Sequence, residues 1–236
     1  MLHYAECDTT SWESQLSAFQ QALRALGGRI DSVFPIAGIS ERKWLPLPSE
    51  IKAMKAGEFA KPDLSVIDID LTGVLYTVAL AVQQFQRQEP VDWPGEHQLR
   101  GKIGLVASIC GFYAVASNPI YTAAKHAVVG LTRTYGNLLK REGITVNAVA
   151  PNVVRTGIST GAFYDKMEAE GLLTPMEGLM SAFDEILQNE KSALVYECGP
   201  NGGWKIREGT QYLDKESGKC CEMISVRSMA LHRDMA

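Results

Sequence analysis

Short apolar runs alternate with longer amphipathic segments along most of this chain. Apolar residues that recur every three or four positions predict helices over 10–27, 64–88, 119–141, 164–170 and 175–189. Short, mostly apolar segments predict buried strands over 30–37, 102–108, 144–150 and 193–198. The proline-containing stretch 39–61 predicts a loop with room for one helical turn. Buried strands that alternate with long helices indicate an α/β fold with a mostly parallel sheet and flanking helices.

The domain organisation is simple, because no repeat, low-complexity tract or linker divides the 236 residues. We therefore expect one α/β domain over 1–204. Residues 205–236 are polar and predict a tail with helical character near its end.

Composition and charge narrow the classes of function. The chain is 46% hydrophobic and 21% charged, as is usual for a folded globular protein. A net charge of −4 argues against general binding to nucleic acid. Asp68 and Asp70 interrupt the most apolar stretch, and the first residues lack the pattern of a secretory signal. These observations predict a cytoplasmic protein that does not span a membrane.

Cysteine and histidine spacing suggests neither a disulfide framework nor a metal site. The five cysteines are irregularly spaced, which favours reduced thiols, and the four histidines are scattered without paired spacing. We expect no bound metal.

One strand-and-helix unit carries residues suited to acid–base chemistry. The strand over 102–108 delivers Ser108 at its carboxyl end, where open α/β sheets bind ligands. Tyr121 follows thirteen residues later, and Lys125 lies one helical turn beyond it on the same face. A nearby ammonium favours the phenolate, so Lys125 is expected to lower the pKa of Tyr121, while Ser108 polarises a substrate oxygen.

The spacing of Tyr121 and Lys125 alone is weak support for an acid–base site, because a tyrosine and a lysine can lie one turn apart on a packed helix without any catalytic role. Ser108 and Gly111 upstream, together with the small residues Ala123 and Ala124 inside the pair, make the pattern much more specific.

The surrounding segments resemble a known family. VASICG followed by YTAAKHAVVGLTRTYG resembles the active-site strand and helix of the classical short-chain dehydrogenases/reductases, and ITVNAVAPNVVRTGI resembles their sixth strand. FPIAGIS resembles the family's Asn-Asn-Ala-Gly segment, and VIDIDLTGVLYT its helix with the fourth catalytic position. The resemblance covers about residues 4–200 and is closest to fungal members related to hydroxyprostaglandin dehydrogenase.

The resemblance implies a Rossmann-type sheet, NAD or NADP as cofactor, and a homodimer or tetramer that pairs through the helices over 64–88 and 120–141. It implies a role in proton transfer for four residues, namely Ser108, Tyr121, Lys125 and Asp70. It implies cofactor contacts for Asp8 (at the adenine), Ala37, Gly38, Tyr121, Lys125, Pro151, Val154 and Thr156 (at the nicotinamide amide).

Departures from the family pattern concentrate on the cofactor side. The chain begins where the family's third strand would lie, without the glycine-rich turn that cradles the dinucleotide diphosphate. Pro35 and Ile36 replace two asparagines, and Asp70 replaces the proton-relay asparagine. We therefore expect a sheet that is incomplete at its N-terminal side and dinucleotide binding that is weak or absent.

Three functions remain open from the sequence. The first is an NAD(P)-dependent oxidoreductase that interconverts a secondary alcohol and a ketone on a small hydrophobic, secondary-metabolite substrate. The second is a cofactor-independent dehydratase, isomerase or cyclase that uses the same acid–base residues. The third is a non-catalytic dimerising subunit. Asp70 is either an acid or base of its own or the partner of Lys125, and Phe163, Tyr164 and Met167 either line a substrate pocket or pack.

Overall fold

The computed structural model describes residues 2–93 and 97–232. Its strands are β1 (Ser32–Val33), β2 (Val91–Trp93), β3 (His97–Leu99), β4 (Gly101–Val106), β5 (Ile144–Pro151), β6 (Val195–Cys198) and β7 (Trp204–Ile206). Five strands form one sheet in the order β1-β4-β5-β6-β7. Strands β1, β4, β5 and β6 are parallel, and β7 pairs antiparallel with β6. The predicted mostly parallel α/β sheet is confirmed.

Helices cover both faces of this sheet. They are α1 (Trp12–Ala25), α2 (Pro48–Ala53), α3 (Ser65–Ile67), α4 (Val74–Arg87), α5 (Pro119–Leu139), α6 (Gly161–Ala169), α7 (Met176–Gln188) and α8 (Lys215–Ser228). A π-helical turn, Asp68–Gly73, joins α3 to α4. Apolar residues of α1, α4 and α5 pack on one face of β4 and β5, and those of α7 pack on the other.

A close approach between α5 and the sheet sets the position of the candidate site. A Cβ atom added at Gly136 would lie 2.7 Å from the Val146 carbonyl oxygen and 2.6 Å from the Ala193 nitrogen. Only glycine therefore allows α5 to lie this close to β5, and the start of α5 is then held beside the carboxyl end of β4.

The structure corrects several predicted boundaries. The predicted strand 30–37 pairs with β4 only at Ser32 and Val33, because Pro35 has no N–H to donate to a ladder. The antiparallel hairpin of β2 and β3 was not predicted, since three-residue strands are too short to show a period. Strand β7 spans the predicted domain boundary between residues 204 and 205, and the division into domain and tail stays a prediction.

The long helical segment Ser65–Arg87 bears on the prediction that the chain does not span a membrane. Within the described residues it is long and apolar enough, by length and composition, to cross a membrane, despite Asp68 and Asp70. A buried core helix meets the same criterion, and here Val74, Val78 and Phe85 pack in the core against the sheet.

Candidate active site

A cavity of about 510 Å³ lies at the carboxyl ends of β4 and β5. Loops that follow β1, β4 and β5 form its walls together with the first turns of α5, as expected for ligand sites in open α/β sheets. The predicted site residues that line it are Ala37, Gly38, Ser108, Tyr121, Lys125, Pro151, Val154 and Thr156. The structure thus brings together most of the residues that the sequence pointed to.

Ser108 lies just beyond the end of β4. The Ala107 N–H still donates to the Val149 carbonyl at 2.8 Å, so the ladder to β5 holds the backbone immediately before the serine. The Ser108 Oγ accepts a hydrogen bond from the Cys110 N–H at 3.2 Å, which caps the short turn that follows. The hydroxyl is therefore fixed at the cavity wall.

Tyr121 and Lys125 occupy successive turns of α5 on the side that faces the cavity. The Lys125 Nζ lies 5.3 Å from the centre of the Tyr121 ring. Burial is the largest of the influences that raise the pKa of Tyr121 to about 12; the hydrogen bond with Ser108 opposes the shift, and the Asp70 charge adds to it. The pKa of Tyr121 is therefore raised and not lowered as the sequence predicted, because the buried phenol is poorly solvated in its charged form.

Asp70 is fully buried behind Lys125 and does not line the cavity. Its Oδ1 accepts a hydrogen bond from the Ile39 N–H at 2.8 Å, and its Oδ2 lies 3.3 Å from Lys125 Nζ. Burial raises the pKa of Asp70, while the Lys125 charge and the Ile39 N–H oppose that shift. Of the two alternatives for Asp70, the structure therefore favours the partner of Lys125.

The ion pair depends on an irregular segment of helix. Asp70 belongs to the π-helical turn Asp68–Gly73, and such turns frequently occur at functional sites. Lys125 Nζ also donates to the Val106 carbonyl at 3.3 Å, which places the ammonium between β4 and the buried carboxylate.

Asp8 lies outside this cavity, at the start of α1. Its Oδ1 accepts hydrogen bonds from the Thr10 N–H at 2.9 Å and the Thr10 hydroxyl at 2.8 Å, and these lower the pKa of Asp8. A second cavity of about 360 Å³ is lined by Cys7 and Thr9 and shares Ile36 and Ala37 with the first. The two cavities therefore adjoin at Ile36 and Ala37, but Asp8 lines neither of them, and its role stays a prediction.

Phe163, Tyr164 and Met167, for which the sequence left a pocket-lining role and a packing role open, do not line the cavity. Tyr164 is buried, and its hydroxyl accepts from the Ser159 N–H at 3.0 Å and lies 3.4 Å from the Thr156 Oγ1. Tyr164 therefore supports the loop that carries Thr156, while Phe163 and Met167 lie away from the cavity lining.

Sequence reasoning missed Glu41, which contacts the start of the helix that carries Tyr121. Its carboxylate accepts hydrogen bonds from the Tyr121 N–H at 2.7 Å and the Ile120 N–H at 3.4 Å. Because the partners lie 80 residues apart along the chain, no local spacing signals the contact. Arg42 on the same loop lines the cavity and was also missed.

Comparison with known proteins agrees with this arrangement. The family model described as short chain dehydrogenase matches residues 1–166. The chain belongs to the short-chain dehydrogenase family. The match includes Ser108, Tyr121 and Lys125, and the predicted resemblance is confirmed at the level of the family.

Individual fungal members of the short-chain dehydrogenase family show how much of the chain is shared. The chain is 34% identical to short-chain dehydrogenase/reductase ATR7 of Stachybotrys chlorohalonatus over 67% of its own length and 44% of that protein. It is 35% identical to short-chain dehydrogenase/reductase prx7 of Penicillium rubens over 69% of its length and 55% of that protein. It is 36% identical to short-chain dehydrogenase srdC of Neurospora crassa over 67% of its length and 56% of that protein. The chain spans about half the length of these relatives.

The cavity fits one end of a nicotinamide dinucleotide. Lys125 and the Tyr121 hydroxyl provide polar contacts for a ribose, Thr156 provides a hydroxyl for an amide, and Pro151 and Val154 provide an apolar surface for a ring. No glycine-rich turn among the described residues opens a helix toward either cavity, so these residues supply no backbone N–H cradle of the usual kind for a diphosphate. The residues therefore fit the nicotinamide half of the cofactor.

Proposed function

We propose that this chain carries the proton-transfer and nicotinamide-binding part of an NAD(P)-dependent oxidoreductase. In this proposal the reaction interconverts a secondary alcohol and a ketone on a small hydrophobic, secondary-metabolite substrate. The observation that carries the proposal is the convergence of Ser108, Tyr121 and Lys125 on one cavity whose remaining lining is largely apolar. Membership in the short-chain dehydrogenase family supports the reaction class.

The raised pKa of Tyr121 sets the protonation state of its phenol in the resting protein. A phenol with a pKa of about 12 is protonated at neutral pH, so it acts as the acid that protonates the oxygen of a ketone during reduction. The Ser108 hydroxyl donates to the same oxygen and orients the carbonyl. The ammonium of Lys125 stabilises the phenolate that forms, and Asp70 keeps that ammonium in place. A bound nicotinamide supplies or accepts the hydride.

All of the proposed cofactor residues except Asp8 line the first cavity. Tyr121 and Lys125 hold the ribose next to the nicotinamide, and Thr156 binds its amide. Pro151, Val154, Ala37 and Gly38 supply apolar and backbone contacts, and Asp8 contacts the adenine. Binding of NAD or NADP is proposed to be weak in the 236-residue chain, because these contacts leave the diphosphate without its usual donors.

Partner and location follow from the same proposal. We place the protein in the cytoplasm as a homodimer that pairs through α4 and α5, and it binds neither nucleic acid nor a membrane. A groove of about 420 Å³ between these helices supports the dimer, since it is lined by the apolar residues Leu75, Val78, Leu131 and Tyr135. Leu75 is 41% exposed there, which leaves an apolar surface for a second copy.

The test is turnover of a panel of hydrophobic ketones with NADH or NADPH at millimolar concentration, followed by nicotinamide absorbance. Ketone-dependent oxidation of either nucleotide is expected. The absence of oxidation with every ketone would contradict the proposal for this chain.

A second candidate is a cofactor-independent dehydratase, isomerase or cyclase. It is favoured by Asp70 at the proton-relay position, whose charge adds to the effect of burial in raising the pKa of Tyr121. Product formation by mass spectrometry in the absence of any nucleotide would select this candidate over the oxidoreductase.

A further inference from the structure

The first turn of α5 lacks the side-chain cap that its own sequence would normally supply. Asn118 precedes the helix, but its side chain makes no capping hydrogen bond to the first helical N–H groups. The amide nitrogens of Ile120 and Tyr121 are the second and third of the helix, after Pro119. These are the donors that a capping side chain usually satisfies.

The missing cap is provided from a distant loop. Glu41 presents both carboxylate oxygens to this turn, with Oε2 at 2.7 Å from the Tyr121 nitrogen and Oε1 at 3.4 Å from the Ile120 nitrogen. A carboxylate at a helix N-terminus is also favoured by the helix dipole. The contact therefore fixes the backbone of the residue that carries the phenol.

The loop that carries Glu41 is anchored at its other end to the buried ion pair. The Ile39 N–H donates to Asp70, and Asp70 pairs with Lys125. Ile39, which is the first anchor, and Ser40, which lies between it and Glu41, line the cavity. One short loop therefore contacts both functional residues of α5. It binds the backbone of Tyr121 directly, and it reaches Lys125 through Asp70.

We propose that Glu41 is a positioning residue that holds the Tyr121 phenol in the cavity beside Ser108, where it can protonate the substrate oxygen. The inference deepens the proposed function and rests on it. Glu41 does not line the cavity, so it acts through the backbone of Tyr121 and not on substrate.

The experiment measures hydrogen exchange and steady-state kinetics on the same variants. In Glu41→Ala, the amide hydrogens of Ile120 and Tyr121 are expected to exchange about fivefold to tenfold faster, the factor implied by a lost helix cap. The kcat for ketone reduction is expected to fall between about tenfold and a hundredfold with little change in KM, because a displaced acid affects the chemical step more than binding.

Two further variants separate positioning from general stability. Glu41→Gln keeps an oxygen that can accept from the Tyr121 N–H, so it is expected to restore most of kcat. Glu50→Ala is the matched control, because Glu50 is also a carboxylate that caps a helix. It accepts a hydrogen bond from the Leu47 N–H at the start of α2 and pairs with Lys43. Glu50→Ala is expected to leave both kcat and the exchange of the two α5 amides unchanged.

The outcomes distinguish this inference from the proposed function. Unchanged exchange in Glu41→Ala, or faster exchange with unchanged kcat, would overturn the positioning role. A KM increase at constant kcat would also overturn it. If the wild-type protein reduces no ketone, the proposed function fails, and with it the positioning role, even where exchange shows that the cap exists.

Discussion

Replacing each member of the buried Asp70–Lys125 pair should have unequal effects on stability. The two charges lie 3.3 Å apart, with side-chain exposures of 0% for Asp70 and 5% for Lys125. Lys125→Met leaves a fully buried carboxylate whose remaining partner is the Ile39 N–H. Removing one member of such a pair costs about 3–5 kcal/mol of unfolding free energy, and we expect this value at pH 7.

Asp70→Asn should cost less, about 1–2 kcal/mol. The asparagine oxygen can still accept from the Ile39 N–H. Lys125 keeps its hydrogen bond to the Val106 carbonyl and lies at the cavity wall, where water can hydrate the ammonium. The double variant should be more stable than Lys125→Met, because it removes both buried charges.

The stability deficit of Lys125→Met should also depend on pH. The pKa of Asp70 is raised in the folded protein by burial, and removing the Lys125 charge raises it further. A carboxyl with a raised folded pKa contributes stability that is fully present below its unfolded pKa and is lost as the pH rises through its folded pKa. The deficit of Lys125→Met relative to wild type should therefore be smaller at pH 5 than at pH 7.

Urea denaturation followed by far-ultraviolet circular dichroism measures these free energies at both pH values. A larger cost for Asp70→Asn than for Lys125→Met would refute the reasoning, as would a deficit of Lys125→Met that grows from pH 7 to pH 5.

Three other predictions follow from separate parts of the molecule. Burial lowers the pKa of Lys102 from 10.5 to about 8, while its Nζ donates to the Ile186 and Asn189 carbonyls at the end of α7. Because the unfolded chain binds more protons between these values, wild type should gain about 2 kcal/mol of unfolding free energy over Lys102→Met from pH 8 to 10; an unchanged difference in urea denaturation would contradict this. The loss of two or three diphosphate contacts should weaken dinucleotide binding by about 3–7 kcal/mol, so isothermal titration should give a Kd above about 0.1 mM for NADH and NADPH, and a low-micromolar Kd would contradict this. Light scattering should show a dimer at micromolar concentration and a monomer for Leu75→Glu, which places a charge in the α4–α5 groove; a monomeric wild type would contradict the interface.

The fold was largely predictable because its central strands are unambiguous. β4 and β5 are mostly apolar segments buried on both faces, and α5 between them has a clear helical period. The unit formed by β4 and α5 also made Ser108, Tyr121 and Lys125 predictable, since one strand end and one helix face bring them together. The short strands β2, β3 and β7 carry too few residues for a pattern to emerge.

Features that depend on burial or on distant contacts could not be predicted. The raised pKa of Tyr121 comes from its burial and from the Asp70 charge, and neither is visible in the spacing of Tyr121 and Lys125. Glu41 lies in a segment without periodicity and acts on a helix 80 residues away. Lys102 is fully buried within a strand although lysine is usually exposed, and only the tertiary structure shows the α7 carbonyls that it binds.

The most direct test of the central claim is the turnover of wild type compared with Tyr121→Phe under saturating NADPH or NADH and a ketone that wild type reduces. The substitution removes the hydroxyl and retains the buried ring, so both proteins should have the same secondary structure by circular dichroism. The account predicts that kcat falls by about 10²–10⁴-fold, the usual contribution of a general acid. A kcat for Tyr121→Phe within about threefold of wild type would contradict the assignment of Tyr121 as the proton donor.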